Sequence, residues 1–546
     1  MTTILRASLT ACLAPATLRS VPSHLGCLAI YANGVGRRAP VHPPDTLHVT
    51  LCSRFAYGKK VVRVPYRNET LAKLRLTFVS HNVRPSKRIL LRSGKSPYDV
   101  VPIEEALHRD VIATNSGNLI FSDATHKILE TPGTEIVSNR VRTEVSAAGQ
   151  INEEYDAFVV PLANAFRPSF ETGLKRLTRL INKLRIPVVV VGVGAQSGLD
   201  YNPARLKPME QSVREFVSAV LDHSASIGVR GEFTEKYLKD MGFRDVEVIG
   251  CPSLFLYGKE LAVEKRAPAL TAESRIAING SHNAVQKQGL DRIIRRTHER
   301  YPHLRFIGQN ISDARQLHWR DLSDANGRVT SMPTHPDHPM YREDKVRAYV
   351  DPVTWIDDLR AFDFSFGSRI HGNIAALLAG TPATVLCGDS RTLELCRYFE
   401  IPHRLIKGLP GDLDPAQLYE EADFTGLVSG HHARFERFTA FLDRNGLENT
   451  FTHGDGGAAF DDRMRALSFP AGIRPWNDTD LASLTSRFGW LNGRIDELSK
   501  DNARLERELA RTGVKVTATA APASVYRRAR RMVGRPIRKV MQSGRG

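Results

Sequence analysis

The chain has 546 residues, which is too long for one simple domain and predicts at least two. Hydrophobic residues make up 42% and charged residues 25%, as in an ordinary globular protein, and no apolar run is long enough to predict a transmembrane helix. The formal net charge of +17 comes from residues 1–100 and 511–546, whereas residues 101–510 are mildly acidic. A nucleic-acid enzyme would carry its basic surface on the folded body, so we expect no nucleic-acid partner.

The cysteines predict an intracellular protein without a metal centre. None of the six forms a C-x-x-C pair, and no spacing of Cys and His suits zinc. The sequence around Arg6 and Arg19 has only brief apolar stretches and is a poor signal peptide. We therefore expect a reducing, cytoplasmic setting.

Residues 1–87 predict a basic, poorly ordered extension, in which Lys60–Val64 and Leu74–Val79 could each form a strand. From residue 88 to 256 strands alternate with helices, which is typical of a doubly wound Rossmann-like domain. The predicted strands are RILLR (88–92), Asp110–Thr114, TEIVSN (134–139), AFVVPL (157–162), the VVVV run (188–191), SIGVR (226–230) and DVEVI (245–249).

A second series of the same kind follows the charged, Pro-containing stretch 257–272, which we interpret as a linker. Residues 273–410 predict a second Rossmann-like domain, with one long helix over 284–301 and another near Ala314–Leu322. Its predicted strands are RIAING (275–280), LRFIGQ (304–309), KVRAYV (345–350), Phe362–Phe366, ATVLC (383–387) and IPHRLI (401–406).

The C-terminal part predicts a helical and loop extension (411–478), a coiled coil (479–510) and a basic tail (511–546). Leucine fills the d positions of four heptads, and the a positions hold Leu481, Phe488, Ile495, Asn502 and Leu509. Asn at a and Leu at d favour a parallel homodimer, and the alternative is a single amphipathic helix that packs on the body. The tail could contact anionic lipid at the inner face of the membrane, or be a solvated segment.

The most informative stretch is DFSFGSRIHGNIAALLAGTPATVLCGD (363–389). It predicts a strand, a tight turn, a helix and a second strand, with Arg369 and His371 between the first strand and the helix. In open parallel sheets, ligands bind at the carboxyl ends of strands, and a helix N-terminus beside an arginine suits an anion. Arg230 ends an equivalent strand of the first domain, so the two arginines could face each other across a cleft.

Other polar residues at predicted strand ends are candidates for lining this cleft. Asn115, Asn118 and His282 could bind sugar hydroxyls, and Gly194 and Gln196 follow the VVVV strand. The glycines after VVVV have the spacing G-x-G-x-x-x-G rather than the dinucleotide fingerprint, so a nicotinamide site is not expected. As single loop residues, all of these could equally be structural.

The sequence resembles the polysaccharide pyruvyl transferases over about residues 88–407. The resemblance rests on NSGNLIFSDA, VVVVGVGAQ, IGVRGEFTEKYLKDMG and, above all, FSFGSRIHGNIAALLAGTPATVLCGD. It departs from the family at Asn118, where an Asp is common. The resemblance implies an α/β fold with two Rossmann-like domains in a GT-B-like arrangement, and phosphoenolpyruvate as the donor.

The resemblance also implies roles for individual residues. Arg230 and Arg369 would bind the donor, Ile370 and Gly372 would bring backbone close to it, and His371 would be the catalytic acid and base. The product would be a pyruvate ketal on two hydroxyls of a glycan or a lipid-linked sugar, with no cofactor and no metal. Two alternatives remain: a GT-B-type glycosyltransferase or epimerase that uses a nucleotide sugar, and a non-catalytic glycan-assembly protein.

Overall fold

The computed structural model describes residues 46–51, 60–65, 87–322, 332–333, 335–476 and 480–512. Within these ranges no helix is both long and apolar enough to cross a membrane. The predicted strand Leu74–Val79, most of the predicted N-terminal extension and nearly all of the basic tail lie outside the described residues.

Two strands, β1 (Thr46–Leu51) and β2 (Lys60–Pro65), pair antiparallel and belong to a compact unit that ends at Arg84. Strand β2 matches the predicted strand Lys60–Val64. All the elements described below belong to the second compact unit.

The N-terminal half of this second unit, residues 87–256, is a parallel α/β domain. Its strands are β3 (Lys87–Leu91), β4 (Thr134–Ser138), β5 (Ala157–Pro161), β6 (Val188–Val191), β7 (Ile227–Val229) and β8 (Val246–Val248). Its helices are α1 (Ile103–Arg109), α2 (Gly117–Leu129), α3 (Ala148–Glu154), α4 (Glu171–Ile181), α5 (Glu210–Leu221) and α6 (Glu232–Asp240). The strand order is β4-β3-β5-β6, and a parallel bridge from Val193 to Val229 brings the β7-β8 pair alongside β6. Every side chain of the VVVV strand is buried, as expected for a parallel strand covered on both faces.

The C-terminal half, residues 276–409, is a second parallel α/β domain. Its strands are β9 (Ile276–Asn279), β10 (Arg305–Gly308), β11 (Val346–Ala348), β12 (Phe364–Gly367), β13 (Ala383–Cys387) and β14 (His403–Leu405). Its helices are α7 (His282–Gln288), α8 (Leu290–Arg300), α9 (Ile311–Trp319), α10 (Pro339–Arg342), α11 (Pro352–Leu359), α12 (Ile370–Leu378) and α13 (Ser390–Phe399). The order β11-β10-β9-β12-β13-β14 is that of a doubly wound Rossmann sheet, and it reverses direction between β9 and β12. The two halves together have the GT-B-like arrangement that the sequence predicts.

The segment after the second half crosses back to the first half and returns. Its helices are α14 (Pro415–Glu421), α15 (Thr425–Ser429), α16 (His431–Arg444), α17 (Thr450–His453) and α18 (Ala458–Arg465). Asn445, just after α16, donates to Ser226 Oγ (3.2 Å), and Asp461 of α18 pairs with Lys127 of α2 (2.7 Å). Ile473 then pairs with Ala348 at the edge of the second sheet. Residues 410–473, here called the strap, contact both halves. The strap therefore helps to fix the shape of the cleft between them.

The last helix, α19 (Leu481–Thr512), packs on the body by one face and leaves another exposed. Trp490 contacts the rings of Trp319 and His108, and Arg487 is buried over Trp476. Much of the heptad stripe is exposed, including Ile495 (59%) and Leu498 (49%). The helix is therefore confirmed, while its pairing in a coiled coil stays a prediction.

Two local predictions are wrong. Residues 110–114 form a turn rather than a strand, because Asp110, Ala113 and Thr114 adopt left-handed backbone conformations with φ of 51°, 49° and 71°. The predicted helix over 284–301 is two helices, since Gly289 at φ 82° ends α7 and starts α8.

Candidate active site

A cavity of about 260 Å³ lies between the two halves at the carboxyl ends of their strands. Two direct contacts between the halves flank it: a bridge from Asn115 to Asn310, and hydrogen bonds between Ser197 and Ser390. On the C-terminal side the lining comes from the segments that follow β9, β10, β12 and β13, and the strand order reverses between β9 and β12. Open α/β sheets bind their ligands at this switch point.

The lining is rich in cations and amides. The charged and titratable residues are Arg167, Arg230, Arg369, Arg391 and His371. The amide side chains are Asn115, Asn118, Asn164, Gln309 and Asn310. Guanidinium groups favour carboxylates and phosphates, and amides offer both donors and acceptors, so the cavity suits a small anion beside a polar molecule.

The turn between β12 and α12 is held by a buried amide network. Asn279, at the end of β9, accepts a hydrogen bond from the Arg369 backbone N–H (2.8 Å) and donates to Asn373 (3.2 Å). Asn373 also accepts from Ser365 Oγ (3.1 Å) and donates to the carbonyl of Gly367 (3.1 Å). These bonds fix the backbone just before Ile370 and His371, so the first turn of α12 is held at the cavity.

The N-termini of α2 and α12 meet at His371. A Cβ atom built on Gly117 would lie 2.6 Å from His371 Cβ, so only glycine allows this approach. The N–H groups of a helix N-terminus carry partial positive charge. Two such ends beside the arginines add to the positive potential of the cavity.

Three of the arginines form no ion pair within the described part of the chain. Arg230 is 1% exposed and donates to the Gly192 carbonyl (3.2 Å) and toward Cys251 Sγ (3.9 Å). Arg369 donates to Asn310 Oδ1 (2.8 Å) and to the Gly280 carbonyl (3.4 Å). Arg167 shares the oxygen of the Asn164 amide with Arg391 (2.6 and 2.7 Å). Burial lowers the pKa of Arg230, Arg369 and Arg167 from the ordinary arginine value. Such desolvated cations lack a counter-ion that an anionic ligand would supply.

Glu394 is a buried carboxyl group beside Arg230, but it does not neutralise the guanidinium at neutral pH. It accepts hydrogen bonds from the N–H and hydroxyl of Thr234 (2.9 and 2.8 Å). Burial raises the pKa of Glu394 to about 8, against the opposing effects of Thr234 and Arg230. At pH 7 the group is mostly protonated, and the cavity keeps its net positive charge.

His371 is buried, and its Nε2 atom lies 3.6 Å from Cys251 Sγ. Burial, followed by the charges of Arg230 and Arg391, holds the pKa of the imidazole well below its usual value. Without a neighbouring anion, the imidazole is therefore neutral at pH 7. A bound anion would offset the two arginines and raise the pKa of His371 toward neutrality.

The structure brings six of the predicted residues to this cavity: Asn115, Asn118, Arg230, Arg369, Ile370 and His371. The amide N–H groups of Asn118 donate to the backbone carbonyls of Ala113 and Ile112 (2.8 and 3.3 Å). The other four predicted residues lie around the cavity rather than on its lining.

Each of these four has a specific place. Gly194 lies behind Arg230, where an added Cβ would be 2.8 Å from Arg230 Cδ. Gly372 packs against Gln309, where a Cβ would be 2.4 Å from Nε2. Gln196 lines a neighbouring cavity, and His282 begins α7 with a buried Nδ1 that has no hydrogen-bond partner among the described residues.

The sequence predictions missed Arg391 and Arg167. Arg391 lies in the first turn of α13, directly after strand β13, and pairs with Asp389 (2.8 Å). It thus has the same placement as Arg230 and Arg369, and the same pattern of an arginine after a strand could have identified it. Arg167 lies in an irregular loop after β5 and has no such signal.

No group of three or more His, Cys, Asp and Glu side chains in the described ranges is placed to hold a metal ion. Two parallel α/β domains with a cationic, amide-lined cleft between them define a GT-B-like fold.

The family model described as polysaccharide pyruvyl transferase matches residues 69–388, which is more than half of the chain. The chain belongs to this family, as its motifs predict, and is therefore a transferase enzyme of polysaccharide pyruvylation. No curated protein matches the chain.

Solved structures with some likeness to the chain include two UDP-GlcNAc 2-epimerases and a glycosyltransferase. The UDP-GlcNAc 2-epimerase of Methanocaldococcus jannaschii is 11% identical, with 65% of this chain and 99% of that chain covered and a TM-score of 0.35. The UDP-GlcNAc 2-epimerase of Neisseria meningitidis is 12% identical, with 70% and 100% covered and a TM-score of 0.31. The calicheamicin glycosyltransferase CalG4 is 13% identical, with 70% and 97% covered and a TM-score of 0.26.

Proposed function

We propose that the enzyme transfers the pyruvyl group of phosphoenolpyruvate to two hydroxyls of a sugar in a cell-surface polysaccharide or its precursor. The product is a pyruvate ketal, and phosphate is released. The observation that carries this proposal is the cluster of Arg230, Arg369 and Arg391 around His371, in which Arg230 and Arg369 have no carboxylate partner in the described part of the chain.

The donor fits the charge of the cavity. Phosphoenolpyruvate carries a carboxylate and a phosphate a few ångströms apart, and each can accept two hydrogen bonds from a guanidinium. Arg230 and Arg369 approach from opposite halves and clamp these two groups. The first turn of α12, at Ile370 and Gly372, adds backbone N–H groups of a helix N-terminus.

His371 acts first as an acid and then as a base. The bound donor raises the pKa of the imidazole by placing negative charge beside it, so the group takes up a proton as the donor binds. The imidazolium then protonates the methylene carbon of phosphoenolpyruvate, which becomes a methyl group and leaves an oxocarbenium-like carbon. The first sugar hydroxyl attacks this carbon and gives its proton back to His371.

The second step closes the ketal. The C–O bond to phosphate breaks, and the second hydroxyl forms the new bond and loses its proton to the departing phosphate. The proton of the first hydroxyl thus replaces the one that His371 gave to the methyl group. The proton of the second hydroxyl leaves with phosphate. Arg230, Arg369 and Arg391 stabilise the negative charge that develops on the leaving group.

Replacing His371 tests this assignment. With phosphoenolpyruvate and a glycan substrate, His371→Ala should reduce phosphate release by about 1,000-fold, as expected for loss of general acid–base catalysis. His432→Ala, which removes an exposed histidine of α16, is the matched control and should be fully active. Unchanged phosphate release in His371→Ala would refute the role of His371.

A further inference from the structure

A cavity of about 680 Å³, here called the α9 cavity, shares no lining residue with the donor cavity. Its walls come from the start of α1, the last turn of α9, α10, the residues around Ile473 and the start of α19. Helix α9 spans the distance between the two cavities: Asn310, its N-cap, lines the donor cavity, and Leu317 lines the other. These two positions are about 10 Å apart along the helix. A sugar in the α9 cavity is therefore not the sugar that reacts at His371, and both can belong to one glycan chain.

Several nitrogen atoms in the walls of the α9 cavity have no hydrogen-bond partner among the described residues. They are Nε2 of Gln316, both ring nitrogens of His318, Nε1 of Trp476, and Nε and Nη1 of Arg487. Gln316, His318 and Arg487 are all buried. Unpaired buried donors are unfavourable, so these side chains favour a ligand that brings oxygen atoms to the cavity.

The imidazole of His318 is neutral and offers both a donor and an acceptor. Burial, followed by the charge of Arg487, lowers the pKa of His318 to about 4, against the opposing effect of Glu104. The Nε2 atom lies 3.3 Å from Glu104 Oε1 but outside hydrogen-bonding geometry. A neutral imidazole and a carboxylate side by side match a hydroxyl group, which both donates and accepts.

The charges of the α9 cavity nearly cancel, which disfavours an anionic ligand. Four arginines and three acids line it: Arg320, Arg342, Arg474, Arg487, Glu104, Asp344 and Asp480. Asp344 pairs with Arg474, and the charges of Glu104 and Asp480 oppose the effect of burial on the pKa of Arg487. A phosphate or carboxylate would face these acids, whereas sugar hydroxyls can donate to the acids and accept from the guanidiniums.

From these contacts, and resting on the proposed function, we infer that the α9 cavity is a second glycan-binding site. It binds a neutral sugar unit of the acceptor while a different unit of the same chain reacts at His371. Arg487 and Gln316 donate to the hydroxyls of the bound unit, and Glu104 accepts from them. Because two sites then hold one chain, the enzyme has a higher affinity for long acceptors than for short ones.

Calorimetry with an octasaccharide tests the inference directly. The octasaccharide is a fragment of the organism's surface polysaccharide from which mild acid has removed the pyruvate ketals. Arg487→Met and Gln316→Met keep most of the side-chain volume but remove the donors, and they should weaken binding about tenfold and about fivefold. Arg507→Met, which removes an exposed arginine of the same helix as Arg487, is the matched control and should bind like the wild type. Equal affinity in all four proteins would overturn the inference, and Gln316→Met decides it alone if Arg487→Met fails to fold.

Salt distinguishes a neutral sugar from an anion in the α9 cavity. The loss of affinity caused by Arg487→Met should be the same at about 50 and about 500 mM NaCl, since screening weakens only interactions between charges. A loss that disappears at the higher concentration would show that Arg487 binds an anionic group, and would overturn the assignment of a neutral sugar.

Steady-state phosphate release tests the connection with the reaction. Gln316→Met should raise KM for the octasaccharide about fivefold and leave its kcat unchanged. KM for a disaccharide fragment of the same polysaccharide should not change, because the disaccharide occupies only the site at His371. An equal rise for both fragments would overturn the inference. Absence of phosphate release from the wild-type enzyme with either fragment would instead refute the proposed function, while calorimetry would still test the α9 cavity.

Discussion

Cys251 Sγ lies 3.6 Å from His371 Nε2, and the same thiol is within 3.1 Å of Ser253 Oγ and 3.9 Å of an Arg230 nitrogen. The thiol thus contacts both the proposed acid–base group and one of the proposed donor-binding arginines. Because the thiol lies within hydrogen-bonding distance of the Nε2 atom, we propose that it fixes the orientation of the ring. We regard Cys251 as a positioning residue.

Cys251→Ala should lower kcat about fivefold and change KM for phosphoenolpyruvate much less, because a weak hydrogen bond is worth about 1 kcal/mol. Cys251→Ser, which keeps a group that can donate and accept, should restore most of the activity. Cys387→Ala removes a buried thiol that does not line the cavity and is the control for general loss of packing. Equal loss in the Ala and Ser variants would contradict a hydrogen-bonding role.

Gly117 should tolerate no side chain, although alanine is the better helix former by about 1 kcal/mol. The added methyl carbon of Gly117→Ala would lie 2.6 Å from His371 Cβ and displace the imidazole. A misplacement of about 1 Å can cost roughly 100-fold in rate, so we expect kcat to fall by about that factor. The measurement is steady-state phosphate release.

The matched control for this variant is Gly149→Ala in α3, where an added Cβ has no atom within 4 Å. It should keep full activity and gain slightly in stability. Wild-type kcat in Gly117→Ala would show that the close approach of the two helix ends does not position His371.

Glu394 should control how donor binding depends on pH. Its pKa of about 8 means that the carboxylate forms above that pH beside Arg230, where it competes with the donor for the guanidinium. KM for phosphoenolpyruvate should therefore rise as the pH passes through 8, and Glu394→Gln should remove this rise. If KM rose in the same way in Glu394→Gln, the pH dependence would have to come from another group.

The raised pKa of Glu394 also predicts how the stability of the folded protein changes with pH. The folded state holds the proton up to about pH 8, whereas the unfolded state loses it near 4.5. The stabilisation from this proton is complete below pH 4.5 and lost as the pH rises to 8. The melting temperature of the wild type should fall relative to that of Glu394→Gln across this interval, and an increase would contradict the assignment.

The exposed heptad face of α19 predicts a homodimer, which we propose to be parallel. Leu498→Asp should convert the dimer to a monomer, since it places a charge in the centre of the apolar seam. Lys500→Asp, on the outer face of the same helix, is the control and should stay dimeric. Sedimentation velocity distinguishes the dimer from the monomer, and a monomeric wild-type protein would refute the proposal.

Whether the two α19 helices of the dimer run parallel can be tested at Asn502. A parallel pair places this residue opposite its own copy, so Asn502→Cys should form an intermolecular disulfide under mild oxidation. Failure to form one in a protein that is dimeric would favour the antiparallel arrangement.

Much of the fold follows from periodicity, because parallel strands buried on both faces give continuous apolar runs such as VVVV. The turn at 110–114 could not be predicted in this way. Its residues look like a strand, but Asp110 accepts a hydrogen bond from the Thr114 N–H (2.8 Å), and this local bond closes the turn.

The candidate site was predictable where an arginine directly follows a strand, as at Arg230 and Arg369. The sequence could not predict that Arg167 and Asn164 belong to the site. Their place at the cleft depends on how an irregular loop folds over it. Nor could spacing predict that the strap after residue 410 returns to the first half. That return depends on contacts distant in sequence, such as Lys127 with Asp461.

The central claim, that the arginine cluster binds phosphoenolpyruvate, is tested most directly by thermal unfolding with this compound and with UDP-GlcNAc as the alternative ligand. At 100 times its dissociation constant, phosphoenolpyruvate should stabilise the folded protein by about 2.7 kcal/mol and raise its Tm by a few degrees. The shift should disappear in Arg369→Ala, and UDP-GlcNAc should leave Tm unchanged. A shift with UDP-GlcNAc and none with phosphoenolpyruvate would contradict the account and favour a nucleotide-sugar enzyme.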